Sequence, residues 1–158
     1  NGLQPEIRHN ALLRIHHAHQ DAASSQIDWW KLHAPDIKQD LGDIDFETRL
    51  NESRLLLIAH NGTSIPEAIA LNAPTIITWS DSYMRVRKSA ETVFDALEAA
   101  GVFHRTPESA ASFINLIWND VDGWWNSPAT IEARKQFTDQ YARTVPNPVR
   151  FLAKALQF

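Results

Sequence analysis

A chain of 158 residues, 44% of them hydrophobic and 22% charged, can bury one sizeable core and suits a single globular domain over 1–158. Its formal charge of −4 argues against a nucleic-acid partner, because neutralising phosphates takes clustered Lys and Arg. The lack of cysteine excludes disulfides, thiol catalysis and cysteine metal sites, and no apolar stretch is long enough to span a bilayer or to follow a basic n-region as a secretory signal.

A reducing cytoplasm is the expected setting. The chain opens on Asn1 and its one methionine is Met84, which reads as a piece of a longer protein.

Short apolar runs then alternate with helix-length amphipathic segments. Residues 10–16 read as a first buried strand, and 28–32 as a helix that stops before Pro35, since proline restricts the residue ahead of it. Residues 36–41 are a second strand ended by Gly42. Asp45 caps a short helix over 45–53 by offering its carboxylate to the first-turn amides. Residues 54–59, Arg-Leu-Leu-Leu-Ile-Ala, are the clearest strand, apolar in a continuous run as expected of a central parallel strand covered on both faces.

A helix over 63–71 tolerates Pro66 in its first turn, and 74–79 is the next strand. The spacing of Val93, Leu97 and Ala100 predicts a helix over 87–100 stopped by Gly101, followed by a minimal strand at Val102 and Phe103. Thr106-Pro107, Ser127-Pro128 and Asn147-Pro148 each open a further helix, a polar cap followed by proline at the first helical position. Alternation of this kind predicts a Rossmann-like α/β fold: a parallel sheet with helices on both faces and a helical C-terminal stretch. Right-handed crossovers gather the strand-to-helix loops at one edge, where ligands bind.

The most informative of those loops is His60-Asn61-Gly62-Thr63-Ser64. Gly62 is expected to take a positive φ and let the backbone approach a ligand. The helix start presents unpaired amides and a partial positive charge suited to a diphosphate, with the Thr63 and Ser64 hydroxyls as further donors. For Glu67 two readings stand: a capping box with Ser64, or a carboxylate that accepts hydrogen bonds from ribose hydroxyls. His60 has two as well, a ligand contact or a cap on the sheet edge. No nucleophile elbow and no P-loop ending is present.

This stretch, through Glu67-Ala68 to Asn72-Ala73-Pro74-Thr75-Ile76, resembles the donor-site signature of GT-B glycosyltransferases, with Asn72 where glycine is usual. Similar loops occur in nucleotide-sugar epimerases and teichoic-acid-type phosphotransferases. Phe103-His104 with Thr106-Pro107-Glu108-Ser109, and Trp124-Trp125-Asn126-Ser127-Pro128, extend the likeness to transferases of bacterial surface-carbohydrate biosynthesis.

The resemblance implies a C-terminal domain that binds a nucleotide-diphosphate sugar. The acceptor site and catalytic base would lie in an N-terminal half, the acceptor would be a glycan or lipid-linked precursor, and this piece alone would be inactive. It implies that Gly42 turns beneath the base and that Trp79 and Asp81 meet the donor sugar. Arg14 would neutralise the leaving diphosphate, or else be an ordinary sheet-end arginine. No metal or cofactor is implied, since fixed cations and dipoles stabilise the developing charge. The alternatives are an epimerase or glycerol-phosphate transferase on the same fold, or a non-catalytic α/β binding module.

Other signals are blander. His16, His17 and His19 with Asp21 read as solvated histidines, ligand contacts or a metal site. Trp118 and Trp125 read as packing on one helix face. Arg85, Arg87 and Lys88 read as a solvated helix start or a contact with anionic lipid, placing the protein at the periphery of the cytoplasmic membrane.

Overall fold

The computed structural model describes residues 2–15 and 24–156. The first elements are α1 (Pro5–His9), β1 (Leu12–Arg14), α2 (Ser24–His33) and β2 (Lys38–Asp40). Then come α3 (Phe46–Glu52), β3 (Leu56–Ile58), α4 (Ser64–Ala70), β4 (Thr75–Thr78), α5 (Glu91–Ala99) and β5 (Phe103–His104). The chain closes with α6 (Pro107–Ile117), α7 (Val121–Trp125), α8 (Pro128–Tyr141) and α9 (Pro148–Ala155). This is the α/β fold anticipated, with every strand pair parallel.

The ladder divides into a two-stranded sheet, β1–β2, and a three-stranded sheet in the order β3–β4–β5. Its centre differs from the sequence reading. The Leu-rich β3 is an edge strand with Leu57 half-exposed, whereas all four residues of β4 are buried. Side chains alternate across a strand, so Ile76 and Ile77 enter different cores. Ile76 packs with Ile7 of α1, with Ala110, Ile114 and Ile117 of α6, and with Val121. Ile77 packs with Ile65 and Ile69 of α4, Val93 and Leu97 of α5, and Phe137 of α8. Helices thus cover both faces.

Four helices start as the polar-then-apolar pattern predicts. Asp45, Thr106, Ser127 and Asn147 each accept a backbone N–H three residues on. The C-terminal stops also hold. Gly101 ends α5 with φ +73°, and a side chain there would overlap the Phe113 ring.

Asn72 takes the left-handed turn after α4 at φ +58°. Its side-chain oxygen accepts from Trp125 Nε1 at 3.1 Å and from the guanidinium of Arg134, which lies 3.9 Å over the Trp125 ring. Burial holds the Arg134 pKa below its ordinary value. Asn72→Gly keeps the turn but strips a half-buried cation of an acceptor, so thermal denaturation should show a loss of about 1–2 kcal/mol. No loss would mean that only the φ angle matters at this position.

Trp118 and Trp125 do not share a helix face. A 3₁₀ turn at Trp118–Asp120 ends on Asp120, whose φ of −146° breaks the helix before α7. Trp125 is buried in the larger core, while Trp118 flanks the smaller one under the guanidinium of Arg54.

Candidate functional site

The carboxyl ends of β3, β4 and β5 carry the loops 59–63, 79–87 and 105–106. The first two touch: the Asn61 amide donates to Met84 Sδ at 3.3 Å. In the first loop the chain bends tightly, with the Ile65 amide on the Gly62 carbonyl and the Glu67 amide on the Thr63 carbonyl, both at 3.2 Å. The amides of Gly62, Thr63 and Ser64 have no protein acceptor among the described residues.

Gly62 corrects one expectation. Its φ is not positive; a Cβ there would stand 2.8 Å from the exposed His60 ring, which would have to swing aside.

Thr63 is the residue ahead of α4, but its hydroxyl caps nothing. Ser64 Oγ is buried with no hydrogen-bond partner. The Glu67 side chain is exposed and makes no hydrogen bond or ion pair among the described residues, so the capping box with Ser64 does not form. At seven residues α4 contributes little macrodipole, which leaves anion attraction to the loop amides and hydroxyls themselves.

Trp79 is a second correction. Only 4% exposed, it packs against Phe94 and Phe103 with ring centroids 5.6 and 4.7 Å away, so it has no open face on which to stack a sugar. Its indole N–H and the Thr78 hydroxyl are buried without partners. With Ser64 Oγ at the start of α4 they make three of the four such side-chain atoms among the described residues; Thr78 and Trp79, consecutive in an extended segment, face opposite sides of the sheet. The fourth, Arg134 Nε, belongs to the Asn72 turn.

Asp81 is exposed and bound by Arg105, whose Nη1 lies 3.1 and 3.0 Å from its two oxygens. Arg105 also donates to Glu98 at 2.8 Å and Asp95 at 3.2 Å, and the hydrogen bond to Glu98 above all raises its pKa. A recess of about 300 Å³ opens there, walled by Asp81, Arg85, Val86, Glu91, Phe94 and Arg105. Two carboxylates and two guanidinium groups line it, so it offers both hydroxyl acceptors and cationic donors.

Arg14 is not a free cation. The β1–β2 register sets it opposite Asp40, and its Nη1 donates to Asp40 Oδ2 at 3.1 Å and to the Ile44 carbonyl at 2.7 Å. The Asp40 carboxylate, 2% exposed, also accepts from Arg49 Nε at 2.9 Å and from the Gly42 amide at 2.9 Å. Gly42 reaches that position with φ +94°. Arg14 and Gly42 therefore meet through Asp40, and no hydrogen bond or ion pair joins them to residues 60–64. Asp40 and Arg105 are the organising side chains that sequence reasoning missed. An aspartate two residues before a glycine was the available signal for the first, as the side chain that folds back on a turn amide.

A second recess, of about 400 Å³, lies beside Gly101, ahead of β5, and includes His104, Ser109 and Trp124 in its wall. Burial lowers the His104 pKa. Since the Gly101 carbonyl 3.1 Å from Nε2 can only accept, Nε2 carries the proton and Nδ1 accepts from Ser109 Oγ at 2.9 Å. The His16, His17, His19 and Asp21 cluster falls outside the described residues.

Fold and edge together define an α/β domain whose strand-end loops carry backbone amides without protein acceptors and a recess walled by carboxylates and guanidinium groups. A model of the LIC12162 family transferases matches residues 1–156, and the chain belongs to that family. No curated protein and no solved structure matches it.

Proposed function

We propose that this chain is the nucleotide-diphosphate-sugar-binding domain of a glycosyltransferase of surface-polysaccharide biosynthesis. Membership of a transferase family supports the reaction class. The observation that carries the finer reading is Ser64 Oγ, buried without a partner among the described residues, beside the amides of Gly62, Thr63 and Ser64 that have no protein acceptor there. Such a buried hydroxyl costs about 1–3 kcal/mol, and a polar ligand or its bound water at this loop would satisfy it.

In this reading the amides of residues 62–64 and the hydroxyls of Thr63 and Ser64 hold the diphosphate. Glu67 accepts from the ribose, and the recess at Asp81 takes sugar hydroxyls. His60, exposed at the start of the same loop, donates to the ligand in this reading. The acceptor, a glycan or lipid-linked precursor, and the catalytic base belong to a separate N-terminal domain.

Isothermal calorimetry with UDP, GDP, CDP and CMP tests the assignment. At least one nucleotide should bind, and Ser64→Ala should weaken it. Silence with all four, from a chain whose circular dichroism shows it folded, sinks the reading.

A further inference from the structure

The last helix, α9, buries none of its residues. It is nonetheless well started: Pro148 takes the first position and the Asn147 side chain accepts the Arg150 amide at 3.0 Å. At 100° per residue, Val149, Leu152, Ala153 and Leu156 gather on one side, with Arg150 and Lys154 together on another. The large apolar side chains stand in water, Val149 at 76%, Phe151 at 48%, Leu152 at 56% and Leu156 at 71% exposure.

Charge is sorted along the chain in the same sense. All 19 Asp and Glu precede residue 140, while residues 140–158 hold Arg143, Arg150 and Lys154 and no acid, in a chain of formal charge −4. Among the described residues neither Arg150 nor Lys154 makes an ion pair. An apolar face beside unpaired cations matches one environment in both respects: acyl chains below, anionic headgroups above. Among the described residues no helix is long and apolar enough to cross a membrane. At about 12 Å, from 1.5 Å per residue, α9 is itself too short to span a bilayer.

We propose that α9 is an interfacial helix that seats this chain on an anionic lipid surface. Val149, Leu152 and Leu156 enter the acyl boundary and Arg150 and Lys154 meet lipid phosphates. The contact is reversible and salt-sensitive, because a helix this short buries few side chains. It stands apart from the nucleotide reading and holds whether or not a nucleotide binds.

Vesicle flotation of the 158-residue chain tests it, comparing phosphatidylcholine alone with the same lipid carrying about a third phosphatidylglycerol, enough to set up a negative surface potential. The chain should float with the anionic vesicles and sink with the neutral ones, and added salt should release it. Lys154→Gln should weaken binding roughly fivefold, since each Lys or Arg near such a surface contributes about 1 kcal/mol. Leu152→Ser should abolish flotation while circular dichroism and melting stay nearly unchanged, because the side chain is mostly exposed. Failure to float, or equal flotation on neutral vesicles, or flotation indifferent to both substitutions overturns the proposal. So does a dimer, seen by light scattering, that Leu152→Ser dissociates in a chain that never floats; that result assigns the face to a second copy.

Discussion

Asp40→Ala should lower the stability of this domain by about 2–3 kcal/mol, near the lower end of what breaking a buried ion pair costs. The carboxylate is 2% exposed, yet its partners Arg14 and Arg49 are 33% and 27% exposed. Stranded guanidinium groups can therefore recover water, which keeps the loss below that of a fully buried charge. The Gly42 amide also loses its acceptor, and the turn after β2 its anchor. In a domain of this size the loss corresponds to a melting point about 5–10 °C lower by calorimetry. A melting point within about 1 °C of the parent, under 0.5 kcal/mol, would show that the network is decorative.

The same carboxylate sets an acid limit. Burial alone would push the Asp40 pKa up; the Gly42 amide, Arg49 and Arg14 together outweigh it and hold the pKa below its ordinary value. An unfolded aspartate titrates near about 3.9, so this contribution is fully present above that pH and disappears as pH falls through the lower folded value. Asp40→Asn should have a shallower loss of stability below about pH 4 than the parent, measured by urea denaturation at several pH values. Parallel curves for the two proteins would remove Asp40 from the acid response.

Much of this was legible in the sequence because it depends on local chemistry. The caps at Asp45, Thr106, Ser127 and Asn147 and the left-handed Asn72 are decided within three or four residues of chain. What failed depends on neighbours distant in sequence. The run at Leu55–Ile58 looks more central than Thr75–Thr78, but it lacks a paired strand on its outer side. Trp79 ends a strand at the ligand edge, as a sugar platform would, yet Phe94 and Phe103 arrive from α5 and β5 to enclose it.

Arg14 illustrates the difficulty for the site. Its identity suggests a free cation, and only the pairing register with β2 reveals a carboxylate directly opposite. The positive φ expected of Gly62 is not there, because a tight turn can be made without a left-handed residue and the sequence does not show which way a glycine is used.

Glu67→Ala should separate binding from stability more cleanly than any other substitution at this edge. The side chain is exposed and free of protein partners, so removing it should change stability by no more than about 0.5 kcal/mol. If the carboxylate receives ribose hydroxyls, hydrogen bonds to a charged acceptor are lost, each worth about 1.5–3 kcal/mol, and nucleotide affinity should fall roughly 10- to 100-fold. Ser64→Ala should move the two quantities in opposite directions. It deletes a buried hydroxyl that nothing in the protein satisfies, so the free domain should be as stable as before or slightly more so, while affinity drops. A site that keeps a polar atom at some cost in stability shows its use only when the ligand is added. Should Glu67→Ala lower the melting point and leave calorimetric affinity intact, the carboxylate is structural and the nucleotide assignment loses its ribose contact.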